Sequence, residues 1–485
     1  MEAVLAVAIG CAALVRLVGL GRDDLWIDEA YTLAIVQRGF GGMLELFTRD
    51  ANGILYEIAV FPIALVSDSL DALRLPAAVA GILAVPAIYW TGRQLVGTWP
   101  AAAAALLMAV SPMAVTHSQD ARPIIFVVTL GTLSLGCLFR ALRSSGARWW
   151  ILYALATAAV FYSNLASGLL LLAPHVYHVL VVERRATRHW ALALARTGLL
   201  LLPLAVLTAL ERSKRDPLYW LTRPDAGDLA AALRTVAGGR PALVLIVAGL
   251  AAAAWLGARR GARAGAVLRS PVATLAVWAL APLVGLWTIS QAVPLFQPRY
   301  AIGAVPGLCL LVGAAAARLP RPAGLCLVAA LLATSAYQLG VQSGETAAQW
   351  SGATRALAEA RRPGDPLIVD PFSGLLTAGY YDPALAARDG ALIVSEWHDR
   401  PVPRGVVLLD DPGGYGDVPA GPPSVAQVAR LSGLTGRVHL LLSDTVGQGD
   451  VWESPGLRWA RRACEVTRRR FEAVDVVSVE RCRSS

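Results

Sequence analysis

The sequence predicts a polytopic α-helical membrane protein that carries a C-terminal extracytoplasmic α/β domain, and three observations predict it. Stretches such as 75–92, 123–139, 241–257 and 322–334 are almost free of charge, and about 20 such residues cross a hydrocarbon core. Basic and acidic loops alternate between these stretches. From about residue 345 the composition changes to short apolar strand-like runs between Pro- and Gly-rich turns. With 56% hydrophobic and 16% charged residues and a mean hydropathy of +0.55, a water-soluble protein is excluded. The net charge of +9 comes from 42 Arg and one Lys, Lys214, against 34 acidic residues. In a soluble domain that balance would suggest nucleic acid. Here it reports topology, and no nucleic-acid partner is expected.

Taken in order, spans are expected near 3–20, 75–95, 99–116, 123–140, 149–165, 167–182, 190–210, 241–257, 271–289, 301–317 and 322–340, eleven in all with the N-terminus inside. Arg93; Arg140, Arg143 and Arg148; Arg184, Arg185 and Arg188; Arg259, Arg260, Arg263 and Arg269; and Arg318 and Arg321 occupy alternate loops, which the positive-inside rule makes cytoplasmic. The intervening loops hold Asp23, Asp24, Asp28, Glu29, Asp50, Glu57, Asp68, Asp120, Glu211, Asp216, Asp225 and Asp228 and face outward. Trp90, Trp99, Trp149, Trp150, Trp190 and Trp255 lie beside the basic loops, as interfacial anchors do. The piece from Ile54 to Val66 is too short to span and carries Glu57, so it is expected as an interfacial helix on the outer face. The first span lacks a basic start and a small-residue cleavage site and reads as an uncleaved anchor. Residues 1–344 thus form a membrane domain and residues 345–485 a soluble one.

In the soluble part, 366–370, 405–410 and 438–444 read as strands and 346–361 and 424–432 as helices, a small α/β layer. The segment 464–482 reads as two strands joined by a turn. Cys464 and Cys482 stand at its open ends, where an oxidising compartment would bridge them. Cys11, Cys137, Cys309 and Cys326 fall in spans and read as small packing residues. "DDPGGYGD" (410–417) lacks the order and the Lys of a phosphate loop and reads as a surface turn.

The chemistry concentrates in the first outward loop. In "LWIDEAYTLAIVQRGF" Asp28 and Glu29 stand side by side before an amphipathic stretch. The bland reading makes Asp28 an N-cap and Glu29 a first-turn acid favoured by the helix dipole. Against it, acids are costly near a bilayer and mark function by default. Another outward loop, "HSQDARP" (117–123), supplies His117, Asp120 and Arg122. Neighbours on a helix point about 100° apart, so one acid of the pair acts while the other is held by a partner.

The motifs "WIDEAYT", "DANGILY" (50–56), "LRLPAAVAGILAVPAIYWTGRQLVG" (73–97), "SQDARPIIFVVTL" and "QPRYAIGAVPGLCLLVGAA" (297–315), in this order, resemble the GT-C superfamily of membrane glycosyltransferases. The likeness is to family 39, the protein-mannosyltransferase-like branch related to lipid A aminoarabinose transferases, over roughly residues 1–340. The resemblance implies the GT-C fold, a polyprenyl-phosphate sugar donor, an extracytoplasmic site, inversion at the anomeric carbon, and an essential acid at Asp28. Glu29, Asp50, Asn52, Tyr56, His117, Asp120 and Arg122 become candidates for holding the sugar or the acceptor. Where many relatives have His-Pro-Pro before the Leu-Tyr, this chain has Asn52, Gly53 and Ile54. The sequence therefore specifies no cofactor, and a divalent cation stays an open alternative.

A sugar phosphate ester already has a good leaving group. The enzyme must deprotonate an acceptor hydroxyl, align it and stabilise the departing phosphate. One carboxylate suffices as base, assigned to Asp28. Arg299, with Tyr300 beside it, can offer a bidentate fork to the lipid phosphate, the alternative being interfacial snorkelling. Arg212 and Lys214 sit in an outward loop against the charge bias and fit contact with the anionic lipid carrier, or a solvated loop. His175 and His178, three apart in a span, read as a packed pair before a metal site. Competing functions are a transporter or flippase of lipid-linked sugars, which would place its ionisable groups near the midplane of an internal repeat, and a non-catalytic scaffold. The nearly Lys-free, Ala- and Arg-rich usage points to a bacterial plasma membrane. The expected partners are the polyprenyl-phosphate sugar, membrane lipid and an extracytoplasmic glycan, lipid or protein hydroxyl.

Overall fold

The computed structural model describes residues 1–47, 54–144, 146–211, 221, 223–261, 263–342, 349–362, 365, 367–370, 374–383, 385, 437–443 and 455–482. In chain order the helices are α1 (Glu2–Leu17), α2 (Ile27–Val36), α3 (Gly39–Phe47), α4 (Ile54–Ala64), α5 (Leu70–Leu95), α6 (Thr98–Ala109), α7 (Pro112–Thr116), α8 (Ile124–Leu142), α9 (Ala147–Ser163), α10 (Leu165–Tyr177), α11 (Thr187–Leu200), α12 (Leu202–Glu211), α13 (Ala226–Ala237), α14 (Arg240–Arg259), α15 (Ala264–Leu268), α16 (Pro271–Ser290), α17 (Ala304–Ala316), α18 (Arg321–Gln342), α19 (Trp350–Ala360), α20 (Gly374–Tyr381) and α21 (Pro455–Ala463). The strands are β1 (Leu367–Asp370), β2 (Arg437–Ser443), β3 (Glu465–Phe471) and β4 (Val474–Glu480). These elements fall into two compact units. The first holds Met1–Leu20 and the described residues from Arg38 to Gln342; the second holds Gly21–Gln37 and the described residues from Gln349 on.

In the first unit, six helical segments among the described residues are long and apolar enough to cross a membrane: Leu70–Leu95, Ile124–Leu142, Leu165–Val182, Arg240–Arg259, Pro271–Ser290 and Arg321–Gln342. Ile54–Ala64, Thr98–Ala109 and Ala304–Ala316 are shorter apolar helices. Two stretches expected as single spans are broken. Residues 99–116 divide at Ser111-Pro112 into α6 and α7, and residues 190–210 divide at Leu201, two residues before Pro203. A proline lacks the N–H that would continue the ladder and clashes with the preceding turn. Helix α13 was not anticipated. α13 starts on a reciprocal cap, with Asp228 N–H donating to the Asp225 carboxylate at 2.9 Å and Asp225 N–H to that of Asp228 at 2.9 Å. It ends at Gly238, whose φ of +85° suits glycine.

The bundle packs through small residues, as apolar helices in lipid must when no hydrophobic force drives them together. α6 buries Ala101, Ala102, Ala103, Ala104 and Ala105. A Cβ at Gly313 of α17 would collide with the Pro100 carbonyl oxygen, so glycine there sets the α6–α17 approach. Hydroxyls tie α5 to α8: Thr129 Oγ1 donates to the Ala80 carbonyl at 2.7 Å and Thr91 Oγ1 to that of Thr132 at 3.0 Å. His175 and His178 turn to different partners, Ser134 Oγ at 3.3 Å and Thr274 Oγ1 at 2.9 Å, which is the geometry of packed histidines.

The second unit is built on a four-stranded sheet of order β1-β2-β4-β3, with β1 and β2 parallel and the other pairs antiparallel. Side chains alternate across it. Ile368, Val438, Leu440, Leu442, Val477 and Val479 form one face and pack on Leu457 and Ala460 of α21. Leu367, Leu441, Val474 and Val476 form the other, covered by Trp350, Ala353 and Leu357 of α19, Ala378 of α20 and Ile27 of α2. His439 lies fully buried in β2, bonded to Ser478 Oγ at 2.9 Å and Asp365 Oδ2 at 3.2 Å. Burial pushes its imidazole below the ordinary value, with Asp365 pulling the other way. The readings at 366–370, 438–444 and 464–482 thus correspond to β1, β2 and the β3–β4 hairpin, and 346–361 to α19. Those at 405–410, 410–417 and 424–432 lie outside the described residues.

Cys464 and Cys482 are disulfide-bonded, with Cα atoms 3.9 Å apart and a sequence separation of 18. Replacing both by Ala in the full-length protein is expected to lower the opening free energy of the β3–β4 amides by about 3 kcal/mol, read by hydrogen exchange. An unchanged value would mean the hairpin is held without the bridge.

Candidate functional site

Asp28 and Glu29 have different environments. α2 begins at Ile27, one residue before Asp28, and its N-cap is Trp26 in extended backbone. The Trp26 amide donates to Glu29 Oε2 at 3.3 Å, and Glu29 is fully buried. An acid at the third helical position can reach back to a free N-terminal amide, as in a capping box. Asp28 is therefore not the N-cap, and Glu29, expected among the substrate-binding residues, is turned inward as the capping acid. Asp28 stays partly exposed. The 100° step between neighbours separates the two roles.

In the first unit, the loop of residues 117–122 is held at Ser118 by a cation that sequence reading passed over. Arg16 of α1 is fully buried. Its Nε donates to Ser118 Oγ at 3.0 Å, Nη1 to the Ala109 and Ala12 carbonyls at 2.7 and 3.3 Å, and Nη2 to that of Met108 at 3.3 Å. Met108 and Ala109 end α6, where unsatisfied carbonyls and the negative end of the helix dipole favour a cation. All four bonds go to neutral oxygens, and a charged group inside an apolar bundle was the signal available in the sequence. Two residues after Ser118, the Asp120 carboxylate meets His117 Nδ1 at 2.9 Å, with both side chains about one-fifth exposed, 17% and 20%. The Arg122 amide donates to the Asp120 carbonyl at 2.8 Å.

Tyr56, expected as a substrate-binding residue, is fully buried, and its hydroxyl donates to the Leu73 carbonyl at 2.7 Å. It fastens α4 to α5. Arg299 and Tyr300 lie in a single 3-10 turn, Pro298–Ala301. Both are half-buried, with the guanidinium carbon 5.7 Å from the Tyr300 ring centre. The Tyr300 carbonyl accepts from Ser167 Oγ at 3.0 Å, and the Ser167 amide donates to the capping Asn164 Oδ1 at 2.8 Å, so the turn is anchored at the start of α10. An apolar crevice of about 40 Å³ lies between α6, α7, α13, α14, α17 and α18, lined among others by Ser111, Pro112, Val236, Val305 and Ser335. None of the expected site residues lines it. Among the described residues no group of three or more His, Cys, Asp or Glu side chains could hold a metal ion. Asp50, Asn52, Arg212 and Lys214 lie outside the described residues.

Comparison with known proteins bears on the fold. Residues 55–209 match the family model for dolichyl-phosphate-mannose-protein mannosyltransferases. No curated protein sequence matches. Among solved structures, ArnT from Cupriavidus metallidurans bound to undecaprenyl phosphate is similar with a TM-score of 0.62 at 14% identity, over 98% of this chain and 97% of that one. AglB from Archaeoglobus fulgidus, in complex with an inhibitory peptide and a dolichol-phosphate, is similar with a TM-score of 0.57 at 12% identity, over 96% of this chain and 72% of that one. The mycobacterial arabinofuranosyltransferase AftD is similar with a TM-score of 0.51 at 16% identity, over 99% of this chain and 40% of that one. The fold is that of the GT-C membrane glycosyltransferases, as the motifs implied.

Gly81 of α5 makes the Arg16 contact sterically feasible, because a Cβ there would collide with Ser118 Oγ and come within 2.7 Å of Arg16 Nε. Gly81→Ala is expected to cost about 1–3 kcal/mol, seen as a lowered melting temperature of the protein in lipid nanodiscs. Gly10→Ala in α1, where nothing lies within 4 Å of the added carbon, is the control. Equal melting temperatures for the two variants would show that the Arg16 contact yields without strain.

Proposed function

We propose that this chain is an integral-membrane, inverting glycosyltransferase that moves a sugar from a polyprenyl-phosphate donor to a hydroxyl of an extracytoplasmic glycan, lipid or protein. The observation that carries the reading is a fold shared along nearly the whole of both chains with a glycosyltransferase bound to undecaprenyl phosphate. The local geometry supports the assignment of Asp28. Glu29 takes the capping role, which leaves the adjacent carboxylate partly exposed for chemistry.

In the proposed step the acceptor oxygen attacks the anomeric carbon from the face opposite the phosphate. Asp28 takes the hydroxyl proton, the bond between the anomeric carbon and the phosphate oxygen breaks, and polyprenyl phosphate leaves with the electron pair. Arg299, half-buried beside Tyr300, is assigned to the leaving phosphate, for which a guanidinium fork is suited. The His117–Asp120 pair and Arg122 are assigned to the sugar or the acceptor. The proposed topology keeps eleven crossings with the N-terminus inside, counting broken helices such as α6–α7 and α11–α12 as single crossings. It puts residues 345–485 and the Asp28 loop outside, in a bacterial plasma membrane.

Two measurements test this. Asp28→Asn in membranes supplied with labelled polyprenyl-phosphate sugars should lower turnover by about 10²–10⁴-fold while the Cys464–Cys482 bridge still forms; undiminished turnover removes Asp28 from the mechanism. A reporter active only in the cytoplasm, fused after Ser485, should stay silent, and an active one would refute the crossing count.

A further inference from the structure

The second unit binds the segment that carries Asp28 through polar as well as apolar contacts. Asp24 Oδ2 accepts the Ser351 amide at 2.7 Å. Ser351 is in the first turn of α19, a helix whose own N-cap residue supplies no side-chain bond, so a carboxylate from the first loop occupies a helix N-terminus that attracts negative charge. The Leu25 amide donates to the Tyr381 hydroxyl oxygen at 2.6 Å, across 356 residues of sequence. The same hydroxyl donates to the Asp24 carboxylate, and burial together with that carboxylate pushes the phenol's pKa up. Next along the chain, Ile27 is only 8% exposed, in a cluster with Trp350, Ala353, Leu357 and Ala378, and Tyr31 and Tyr381 pack against it. The chain is thus held at residues 24, 25, 27 and 31, on both sides of Asp28.

Resting on the assignment of Asp28 as the base, we infer that the C-terminal domain acts as a positioning scaffold for it: Asp24, Tyr381 and the α19 N-terminus fix the start of α2 and so the direction of the Asp28 carboxylate. A base must sit within hydrogen-bond reach of the proton it takes, and misplacement by about 1 Å costs on the order of 10²-fold in rate. Tyr381 and Asp24 are positioning residues, because their polar atoms are bonded to one another and to the backbone. The C-terminal domain thereby has a role in the reaction that the motifs of residues 1–340 do not provide. Weakening the contact affects turnover before it affects donor binding.

The test uses the full-length protein in nanodiscs, with Tyr381→Phe on the domain side and Asp24→Asn on the loop side. Hydrogen exchange of the amides from Leu25 to Leu33 should accelerate about tenfold in each variant, while the amides of β2 and β4 keep their rates. With whichever of labelled undecaprenyl-phosphate arabinose, mannose, galactose or glucose the unmodified protein turns over, kcat should fall about tenfold or more with donor KM within about twofold. Unchanged exchange in the 25–33 amides of both variants overturns the scaffold role. So does a kcat equal to that of the unmodified protein while Asp28→Asn is inactive. If Tyr381→Phe also loosens β2 and β4, the Asp24→Asn variant decides, since Asp24 lies outside the sheet and its helices. If Asp28→Asn keeps full turnover, the catalytic assignment fails and with it the scaffold's role in the reaction, whereas accelerated exchange would still establish the anchoring itself.

Discussion

The insertion of Ile27 into the core formed by Trp350, Leu357, Ala378 and Val476 is the contact on which the arrangement of the second unit depends. It takes a segment that follows the first helix immediately and folds it into a domain built from the last part of the chain. An isoleucine buried to this extent stabilises by about 2 kcal/mol. The hydrogen bonds of Asp24 and Leu25 add directionality that apolar burial lacks. With the cap made by Glu29, these contacts leave Asp28 as the carboxylate of the pair still reachable from solvent.

The helical unit solves a different problem. Polar groups inside an apolar bundle must find partners within the protein, and Arg16 is its most demanding case. Its guanidinium satisfies the last carbonyls of α6 and holds Ser118, and the absence of a side chain at Gly81 leaves room for it. The same contacts that compensate the buried charge set the start of the loop bearing His117, Asp120 and Arg122. A proline break at Ser111-Pro112 lets the chain turn there, which a continuous helix over 99–116 would not. Position and stability of this loop therefore have a common origin in one cation and one glycine.

Much of this architecture was legible in the chain because membrane spans are specified locally. Long runs without charge, Arg-rich loops and Pro- and Gly-rich punctuation are properties of neighbours in sequence, and α5, α8, α10, α14, α16 and α18 coincide with runs read as spans. The β3–β4 hairpin and its flanking cysteines were legible for the same reason: alternation and a turn lie within 19 residues. The motifs also carried the GT-C fold. Breaks at Pro112 and near Pro203 were missed because hydropathy is blind to the loss of one backbone hydrogen bond. The reciprocal cap that starts α13 is carried by Asp225 and Asp228, acids that charge counting alone places in a loop.

The sequence by itself determined that the chain carries repeated membrane-spanning runs, that its acids gather in loops alternating with the arginine-rich ones, and that Cys464 and Cys482 flank a hairpin. Each follows from the transfer energy of side chains or from periodicity over a few residues. Only the tertiary structure decided which of two adjacent acids is buried as a cap, which arginine is buried, and which distant segment holds the first loop. Asp28 and Glu29 differ by a rotation of one helical step, and Ile27 beside them sits in a core with Trp350, Leu357 and Ala378, more than 300 residues away. Those contacts leave no pattern in the local sequence, because nothing near Asp24 or Leu25 announces Ser351 or Tyr381.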